Sequence, residues 1–475
     1  MPAVAQGRLA SSGRFATLLG IVLAAAAFSW VAFLNRAPLV FPDTIAYANA
    51  ALKGEVPGVF SVFYSYMILP FHQGRSLWPV VMVQCLLMAH LLYLTARCVL
   101  QRLGLLEYAL LTGALCVFSG LPWITGQVMP DVFAAVLVLG VYLLVFCRRR
   151  LHAAERVYVA LLTAAAITTH LSYIPIAAGL IALSLVIRLA MKRDLRELVR
   201  AATLLGLILT AAAGAMLAVN WLKSSELRFA RNSNVFLLAK LLDEGSAVAH
   251  LAKACPAKPY RLCAYLAELK GMTHDELKWS WDSPFWKFGS FDALEPEAAE
   301  IVAATIRDHP GDVVLHALGG AAVQLLKFST GEGLTPQTID LVAPEIGTVF
   351  APGVERSLRA SRQATGTLPI AQFNLLHLVT SVLSLIVIAF ALALRRRQLP
   401  ERLAAFLVFV IAALLCNAVI TGGLSGPYDR YLARIIFLAS FAAGIVMLHF
   451  FRSSRASEHR SQGRIPASAV SHGSN

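Results

Sequence analysis

The sequence predicts an all-α, polytopic membrane protein with about ten transmembrane helices and a mainly helical segment outside the membrane. Three observations support this. Of the 475 residues, 58% are apolar and 14% are charged, against roughly 25% charged in an ordinary soluble domain. The apolar residues form runs approaching the ~20 residues that cross a bilayer. These runs do not alternate with polar residues as membrane-barrel strands do, so helices are the only spanning structure that fits.

Ten apolar runs separated by polar breaks are the predicted spans. They are residues 15–34, 77–96, 105–121, 131–147, 157–169, 171–189, 200–220, 371–394, 403–420 and 431–451. The first run is longer than the ~7–15 apolar residues of a cleaved signal peptide, and no small-residue cleavage site follows it. We therefore expect residues 15–34 to form a membrane anchor.

The basic residues divide unevenly between the two sides that these spans define. One side carries 21 of the 41 Lys and Arg residues and 6 of the 27 acids, leaving 20 bases and 21 acids opposite. The basic side is expected to be cytoplasmic and to hold both termini. The net charge of +14 is thus a topology signal, and no nucleic-acid partner is predicted. Basic loops without a eukaryotic targeting signal indicate a multi-pass protein of a bacterial inner membrane.

These spans divide the chain into four parts. Residues 1–220 form a seven-span catalytic membrane module with a first outer loop at 35–76. Residues 221–370 form a periplasmic domain, 371–451 a three-span membrane segment, and 452–475 a disordered cytoplasmic tail rich in Ser, Arg and His. Within 221–370, Thr273 and Glu276 have the spacing of a capping box that starts a helix. Two further helices are predicted, one ending before Pro310 and one over 312–328.

Two cysteines are candidates for a disulfide bond. Cys255 and Cys263 lie eight residues apart in the segment placed on the oxidising side, and they are the only cysteines on that side. A disulfide between them is expected. The alternative is a pair of free thiols.

Two aspartates lie just beyond membrane spans on the predicted outer side. Asp43 follows the first span in Phe41-Pro42-Asp43-Thr44, and Asp131 opens the fourth span. Either carboxylate could serve a reaction. Each position also suits a helix N-cap, where an acid is stabilised by the helix dipole. Capping and function therefore both remain open for Asp43 and Asp131.

Cationic and aromatic side chains lie at the same predicted side. Arg is suited to binding phosphate through its bidentate guanidinium, and cations on this side oppose the positive-inside bias. Arg434 lies about one turn inside an apolar run, where an ionisable group is costly and usually functional. Its alternative role is a structural ion pair with Asp429 or another acid. The candidates are His72 and Arg75 before the second span, His170 between the fifth and sixth, and Arg430, Tyr431 and Arg434 entering the last. For His170, a structural hydrogen bond is the alternative.

The combination of an outer-loop Asp, a second Asp opening the fourth span, and an Arg-Tyr pair entering a late span resembles the GT-C superfamily. Its members are polytopic glycosyltransferases that use lipid-linked sugars, usually with polyprenyl-phosphate donors. The resemblance covers chiefly residues 15–220. Asp43-x-x-x-Tyr47 is similar to the first-loop signature, in which a second acid often follows the first; here Thr44 follows Asp43.

The resemblance implies an inverting glycosyltransferase. It would move a sugar from a polyprenyl-phosphate donor to a periplasmic glycan, lipid or protein acceptor, in contact with membrane lipids. Asp43 would be the catalytic base, and Asp131 would orient the acceptor or hold a divalent metal ion with Asp43. That metal is the one cofactor implied. The donor phosphate would be bound by His72, Arg75, His170, Arg430, Tyr431 and Arg434.

Two other classes of function remain open. An O-antigen-type polymerase or ligase for lipid-linked glycans would use a large outer loop rich in Arg and His, and 221–370 contains His250, His274, His309 and His316. Such an enzyme needs no acid in the first outer loop, so substitution of Asp43 separates it from the glycosyltransferase. A transporter or lipid flippase would instead place polar groups near the bilayer midplane, often in repeated halves.

Overall fold

The structure is a computed structural model that describes residues 2–191, 194–225 and 227–462. Within them every regular element is helical, and the one β-type contact is an isolated parallel bridge between Leu39 and Gln127. The predicted all-α class is confirmed.

Helices α1 to α11 begin before the central segment, which comprises residues 221–370. They are α1 (Pro2–Phe28), α2 (Trp30–Asn35), α3 (Thr44–Lys53), α4 (Val62–His72), α5 (Trp78–Leu100), α6 (Leu105–Phe118), α7 (Leu121–Thr125), α8 (Val132–Phe146), α9 (Ala153–Thr169), α10 (Tyr173–Ala190) and α11 (Leu195–Ser224). Arg36, in a left-handed conformation with φ 67°, ends the helical path of α1 and α2.

The remaining helices form the central segment and the C-terminal part. They are α12 (Ser233–Asp243), α13 (Ser246–Ala254), α14 (Leu266–Leu269), α15 (His274–Trp279), α16 (Phe291–Asp308), α17 (Pro310–Leu326), α18 (Pro336–Gly347), α19 (Pro352–Arg359), α20 (Ile370–Leu394), α21 (Glu401–Leu424) and α22 (Asp429–Gln462). Short 3-10 helices occur at Arg148–Arg150, Arg261–Tyr265, Pro284–Phe288 and Arg396–Gln398.

Seven helices in the described ranges are long and apolar enough to cross a membrane. They are Phe15–Asn35, Trp78–Leu100, Tyr173–Ala190, Leu195–Lys223, Ile370–Leu394, Glu401–Leu424 and Asp429–Arg455. The other three predicted spans, 105–121, 131–147 and 157–169, correspond to α6, α8 and α9, which have 14, 15 and 17 residues. At 1.5 Å per residue they measure about 21–26 Å, less than the ~30 Å hydrocarbon core. The structure therefore supports seven full-length spans rather than ten.

The short helix α8 lies at the centre of the bundle. Its residues from Val132 to Val145 are all buried, and α5, α9, α10, α21 and α22 pack around it. A helix that is apolar on every face is one that other helices surround. Because protein covers α8, its length does not have to match the thickness of the bilayer.

The helices have two distinct ends. The end near Asn35, Asp131 and Asp429 is called the site end. The other, the basic end, holds Arg148–Arg150 and Arg396–Gln398. Ion pairs join neighbouring loops at the basic end, with Arg97 on Glu155 at 2.7 Å and Arg452 on Glu107. Loops predicted to share one side thus lie at one end of the bundle.

The central segment consists of two parts with different surroundings. Residues 235–302 enclose a core of their own, in which Leu277 and Phe285 are fully buried. In contrast, Ile339 and Ile346 of α18 belong to the core of the membrane helices. The predicted capping box is confirmed, because Thr273 and Glu276 cap the start of α15 reciprocally. The two further predicted helices are α16 and α17.

Helix α17 packs directly on α21, a membrane-spanning candidate. The backbones meet so closely that a Cβ on Gly320 would come within 2.4 Å of the Gly422 carbonyl oxygen. The opposite face of α17 exposes Val314, Leu315 and Leu318. An exposed apolar face beside a spanning helix indicates contact with lipid.

The C-terminal tail is described only in part. The predicted disordered tail begins at 452, whereas α22 continues as helix to Gln462. The remainder, 463–475, lies outside the described residues, as do Lys192 and Arg193, which contribute to the predicted cytoplasmic charge.

Candidate functional site

Backbone pairing brings the first loop to the loop that precedes α8. The Leu39 N–H donates to the Gly126 carbonyl at 3.0 Å, and the Val128 N–H donates to the Leu39 carbonyl at 2.9 Å. The Thr44 hydroxyl adds a third bond, to the Val128 carbonyl at 3.1 Å. These contacts hold the starts of α3 and α8 at one place, although 87 residues separate Asp43 from Asp131 in the sequence.

Neither aspartate caps its helix. Asp43 and Asp131 stand at the N-cap positions of α3 and α8, yet neither side chain accepts a hydrogen bond from its own helix. Both carboxylates contact α22 instead. Asp43 Oδ2 lies 3.2 Å from Arg430 Nη1, and Asp131 Oδ1 lies 3.5 Å from Arg434 Nη1. Both aspartates thus occupy N-cap positions without the capping hydrogen bond. Arg434 forms the structural ion pair expected as its alternative role, with Asp131 as the acid rather than Asp429.

The two arginines occupy successive turns on one face of α22, because residues four apart on a helix are neighbours. The Tyr431 ring lies between them, with its centroid 5.3 Å from the Arg430 guanidinium carbon and 5.1 Å from that of Arg434. Its hydroxyl lies 3.2 Å from the Ser425 hydroxyl. Tyr431 thus separates two parallel ion pairs at different depths.

The deeper pair is closed to solvent. Arg434 is 0% exposed, and its second nitrogen Nη2 donates to Asn417 Oδ1 at 3.1 Å. Nη1 also contacts the Tyr173 hydroxyl at 3.5 Å. A buried charge is tolerated when paired and hydrogen-bonded in this way. This pair ties α8, α10 and α21 to α22 and presents no atom to an incoming molecule.

The outer pair is accessible. The side chains of Arg430 and Asp43 keep 13% and 20% of their surface. Burial raises the pKa of Asp43, and the neighbouring Arg430 opposes that shift only in part. A carboxylate with a raised pKa can take up a proton during a reaction. A guanidinium beside it can bind an anion.

His170 borders this cluster at the end of α9. Its Nδ1 lies 2.8 Å from the Ser172 hydroxyl, and its ring centroid lies 5.2 Å from that of Tyr173. Burial lowers the pKa of His170 well below its usual value, and the charges of Arg434 and Arg430 add to the shift. The ring is therefore neutral near pH 7 and contributes no positive charge to a phosphate site.

His72 and Arg75 lie apart from the cluster. His72 is buried, its Nδ1 accepts the Gly74 N–H at 3.1 Å, and its ring packs 5.0 Å from that of Phe350. Burial lowers the pKa of His72 to about 4, so the ring is neutral near pH 7. No contact of Arg75 with the cluster occurs in the part of the chain that the structure describes. The structure thus brings together the other predicted site residues and leaves these two aside.

Two charged residues of the site were missed from the sequence. Lys278, on α15, lies 3.2 Å from Asp275 and donates to the Tyr428 hydroxyl at 3.1 Å. Burial lowers its pKa, as does the charge of Arg430. The sequence around Lys278 carries no signal that distinguishes it from a surface lysine.

Glu332 is the second missed residue. Its Oε2 accepts the backbone N–H of Arg430 at 2.6 Å, and burial raises its pKa. Gly331 and Gly333 flank it with φ of 94° and 73°, a left-handed region that favours glycine. A Cβ on Gly333 would also overlap the Phe41 ring. An acid between two glycines was a usable signal for a tight, charged loop.

The donor set fits a divalent metal poorly. Asp43 and Asp131 each face a guanidinium, whose charge repels a cation at the same oxygens. In residues 2–191, 194–225 and 227–462, no group of three or more His, Cys, Asp or Glu side chains converges as metal ligands do. The arrangement favours ion pairing over metal binding.

The predicted cysteine pair is bonded in the structure. Cys255 and Cys263 form a disulfide with Cα atoms 5.7 Å apart, at the edge of the core that residues 235–302 enclose. It closes the turn between α13 and the 3-10 helix Arg261–Tyr265.

Comparison with known proteins gives no relative. No protein-family model, no curated protein and no solved structure matches this chain.

Proposed function

We propose that this protein is an inverting membrane glycosyltransferase that moves a sugar from a polyprenyl-phosphate donor to an acceptor at the site end. The accessible pair of Asp43 and Arg430 is the observation that carries the proposal. It places a carboxylate of raised pKa 3.2 Å from a guanidinium, at the end of helices long enough to span a membrane. A lipid-linked sugar phosphate would reach such a site from the bilayer.

The reaction follows from the charges of this pair. The Asp43 carboxylate accepts a proton from the acceptor hydroxyl or amine, which attacks the anomeric carbon opposite the phosphate. The bond between the anomeric carbon and the phosphate oxygen breaks, and its electron pair leaves with the polyprenyl phosphate. Protonation of Asp43 removes the partner of Arg430, so the guanidinium is released to bind the leaving phosphate. One proton transfer thereby activates the acceptor and frees Arg430 to bind the leaving phosphate.

The remaining charged groups have supporting roles. Arg434 and Asp131 act as positioning residues, because their buried pair holds the helices that present Arg430 and Asp43. Lys278 is a second cation near the pair and would strengthen the attraction for a phosphate. Glu332 fixes the backbone of Arg430 and keeps the first turn of α22 in register.

The Lys and Arg distribution assigns the compartments in this proposal. The basic end faces the cytoplasm of a bacterial inner membrane, and the site end faces the periplasm with the central segment. The acceptor is then a periplasmic glycan, lipid or protein. Donor and acceptor would then meet at the periplasmic surface of the inner membrane, with Asp43 at that surface.

A transfer assay with matched variants tests the proposal. The full chain is reconstituted in liposomes with a panel of undecaprenyl-phosphate-linked hexoses and pentoses and an envelope extract as acceptor source. Release of undecaprenyl phosphate is followed by mass spectrometry. Asp43→Asn is expected to lower the rate by about 10²–10⁴-fold, the usual contribution of a general base, while donor binding persists. Arg430→Gln is expected to weaken both binding and transfer. The control Asp312→Asn changes an exposed carboxylate of the central segment and should leave both unchanged.

Three outcomes would count against the proposal. Full activity in Asp43→Asn would remove the proposed base. Copurification of a polyprenyl diphosphate carrying an oligosaccharide would favour the polymerase or ligase. Ordinary phospholipids as the only bound lipids, with no turnover of any donor, would favour the transporter.

A further inference from the structure

A cavity at the basic end is lined by arginines and is unrelated to the site described above. Its volume is about 200 Å³, enough for roughly six or seven water molecules at ~30 Å³ each. It lies where α8, α10, α11 and α21 meet. Its charged lining consists of Arg148, Arg149, Arg150, Arg188 and Arg402 with Asp194 and Glu197. Among the described residues, these five arginines and two acids give the lining a net charge of +3.

The acids of the cavity do not satisfy its arginines. Glu197 forms an ion pair with Arg149 at 3.2 Å. Asp194 caps α11 by accepting the Arg196 N–H at 3.0 Å. Within the described ranges, no carboxylate forms an ion pair with Arg148 or Arg402, and both side chains are half-buried. Half-buried guanidinium groups without a paired acid attract an anion more strongly than fully hydrated ones.

The walls of the cavity continue into an apolar outer surface. On α10, Val186 and Leu189 are exposed, and on α11 Leu195 and Val199 are exposed. Both helices belong to the set that is long and apolar enough to cross a membrane. A molecule held in the cavity by its charge could therefore lay hydrocarbon chains along these helices. Basic pockets between transmembrane helices are suited to phosphate head groups of lipids.

We propose that this cavity binds the phosphate head group of an anionic phospholipid. Arg148 and Arg402 are the groups that contact the phosphate, and α10 and α11 cover the acyl chains. Glu197 and Asp194 engage Arg149 and the Arg196 N–H, so the two guanidinium groups of Arg148 and Arg402 are left to bind one phosphodiester. This site does not depend on the proposed glycosyl transfer.

Native mass spectrometry of the full chain in detergent tests the proposal. The micelles are doped with phosphatidylglycerol or, separately, with phosphatidylcholine, and inorganic phosphate is added as a competitor at 10 mM. The test variant is Arg148→Gln with Arg402→Gln. The control is Arg396→Gln with Arg397→Gln, which removes equal charge from exposed positions at the same end. Size-exclusion chromatography verifies folding, and single Arg148→Gln replaces the double variant if that one aggregates.

The expected result is one retained phosphatidylglycerol on the wild type and the control, with at least tenfold weaker retention on the test variant. Phosphatidylcholine should be retained at least tenfold less than phosphatidylglycerol by the wild type. Equal retention by the test variant and the wild type would overturn the proposal. Equal loss of the lipid from both double variants would also overturn it, because the binding would then depend on the overall surface charge rather than on the cavity. Displacement of the lipid by inorganic phosphate would also overturn the proposal, because the ligand would then be a free anion.

Discussion

Replacing Arg434 by methionine should destabilise the bundle more than any other single change at the site. Two unit charges 3.5 Å apart attract by about 5 kcal/mol at an effective dielectric constant of about 20. The substitution also removes the hydrogen bond to Asn417, worth about 1.5–3 kcal/mol for a charged donor. Because the buried Asp131 carboxylate would lose its partner, we expect a net loss of about 3–5 kcal/mol in the free energy of unfolding.

A double-mutant cycle separates the pair from its surroundings. Arg434→Met combined with Asp131→Asn leaves no charge in the core, so most of the lost stability should return, to within about 1–2 kcal/mol of the wild type. The comparison variant Arg430→Met removes the outer pair, which keeps some contact with solvent, and should cost less, about 1–3 kcal/mol. Equilibrium unfolding in mixed micelles, followed by tryptophan fluorescence, measures five proteins: the wild type, Arg434→Met, Asp131→Asn, the double variant and Arg430→Met. If the double variant were as unstable as Arg434→Met, the buried ion pair would not be the source of the loss.

Three further predictions concern pH and the central segment. The transfer rate should decline as the pH falls, with a midpoint above the pKa of an ordinary aspartate. Arg430→Gln should shift this midpoint upward, because Arg430 lowers the pKa of Asp43. An unmoved midpoint would exclude Asp43 as the titrating group. Because burial lowers the pKa of His72 from 6.5 to about 4, the unfolded chain takes up this proton first, and stability should fall by up to about 3 kcal/mol as the pH drops from 6.5 to 4. In acid-unfolding curves, His72→Phe should remove this share of the slope and leave the share of the other titrating groups. Replacing Cys255 and Cys263 by alanine removes a disulfide between residues eight positions apart and should lower the free energy of unfolding by about 2–3 kcal/mol. The loss should be seen as faster hydrogen exchange confined to residues 235–302. Unchanged exchange would show the bond to be dispensable.

Much of the architecture was predictable because it depends on local patterns. Apolar runs predicted the helices, and a capping box predicted the start of α15. The lengths of α6, α8 and α9 were not predictable in the same way. Hydropathy alone predicts the run 131–147 to be a span. Helix α8 within it has only 15 residues, and only its position inside the bundle explains why it need not match the thickness of the bilayer.

Several members of the candidate site were predictable from the sequence, but their contacts were not. Asp43, Asp131, Arg430 and Arg434 were all identified from their positions at span ends. Their pairing joins residues 387 and 303 positions apart, and no local pattern carries that information. Local reasoning left capping open for both aspartates, since nearby N–H groups are the only partners a sequence reveals. It also favoured His72 as a phosphate ligand, because its burial against Phe350 is a tertiary property.

The first turn of α22 is held by the central segment. Gln324 exchanges two hydrogen bonds with the backbone of Tyr428, at 2.7 and 3.1 Å. The Ser329 N–H donates to Asp429 at 2.7 Å, and Glu332 accepts from the Arg430 backbone. The residues after α16 are thus part of the scaffold of the helix that carries both arginines. A shortened chain without 310–370 would lose the register of Arg430 even with every spanning helix present. That stretch is therefore part of the membrane unit, whereas residues 235–302 reach the start of α22 through Asp275 and Lys278, which both contact the Tyr428 hydroxyl.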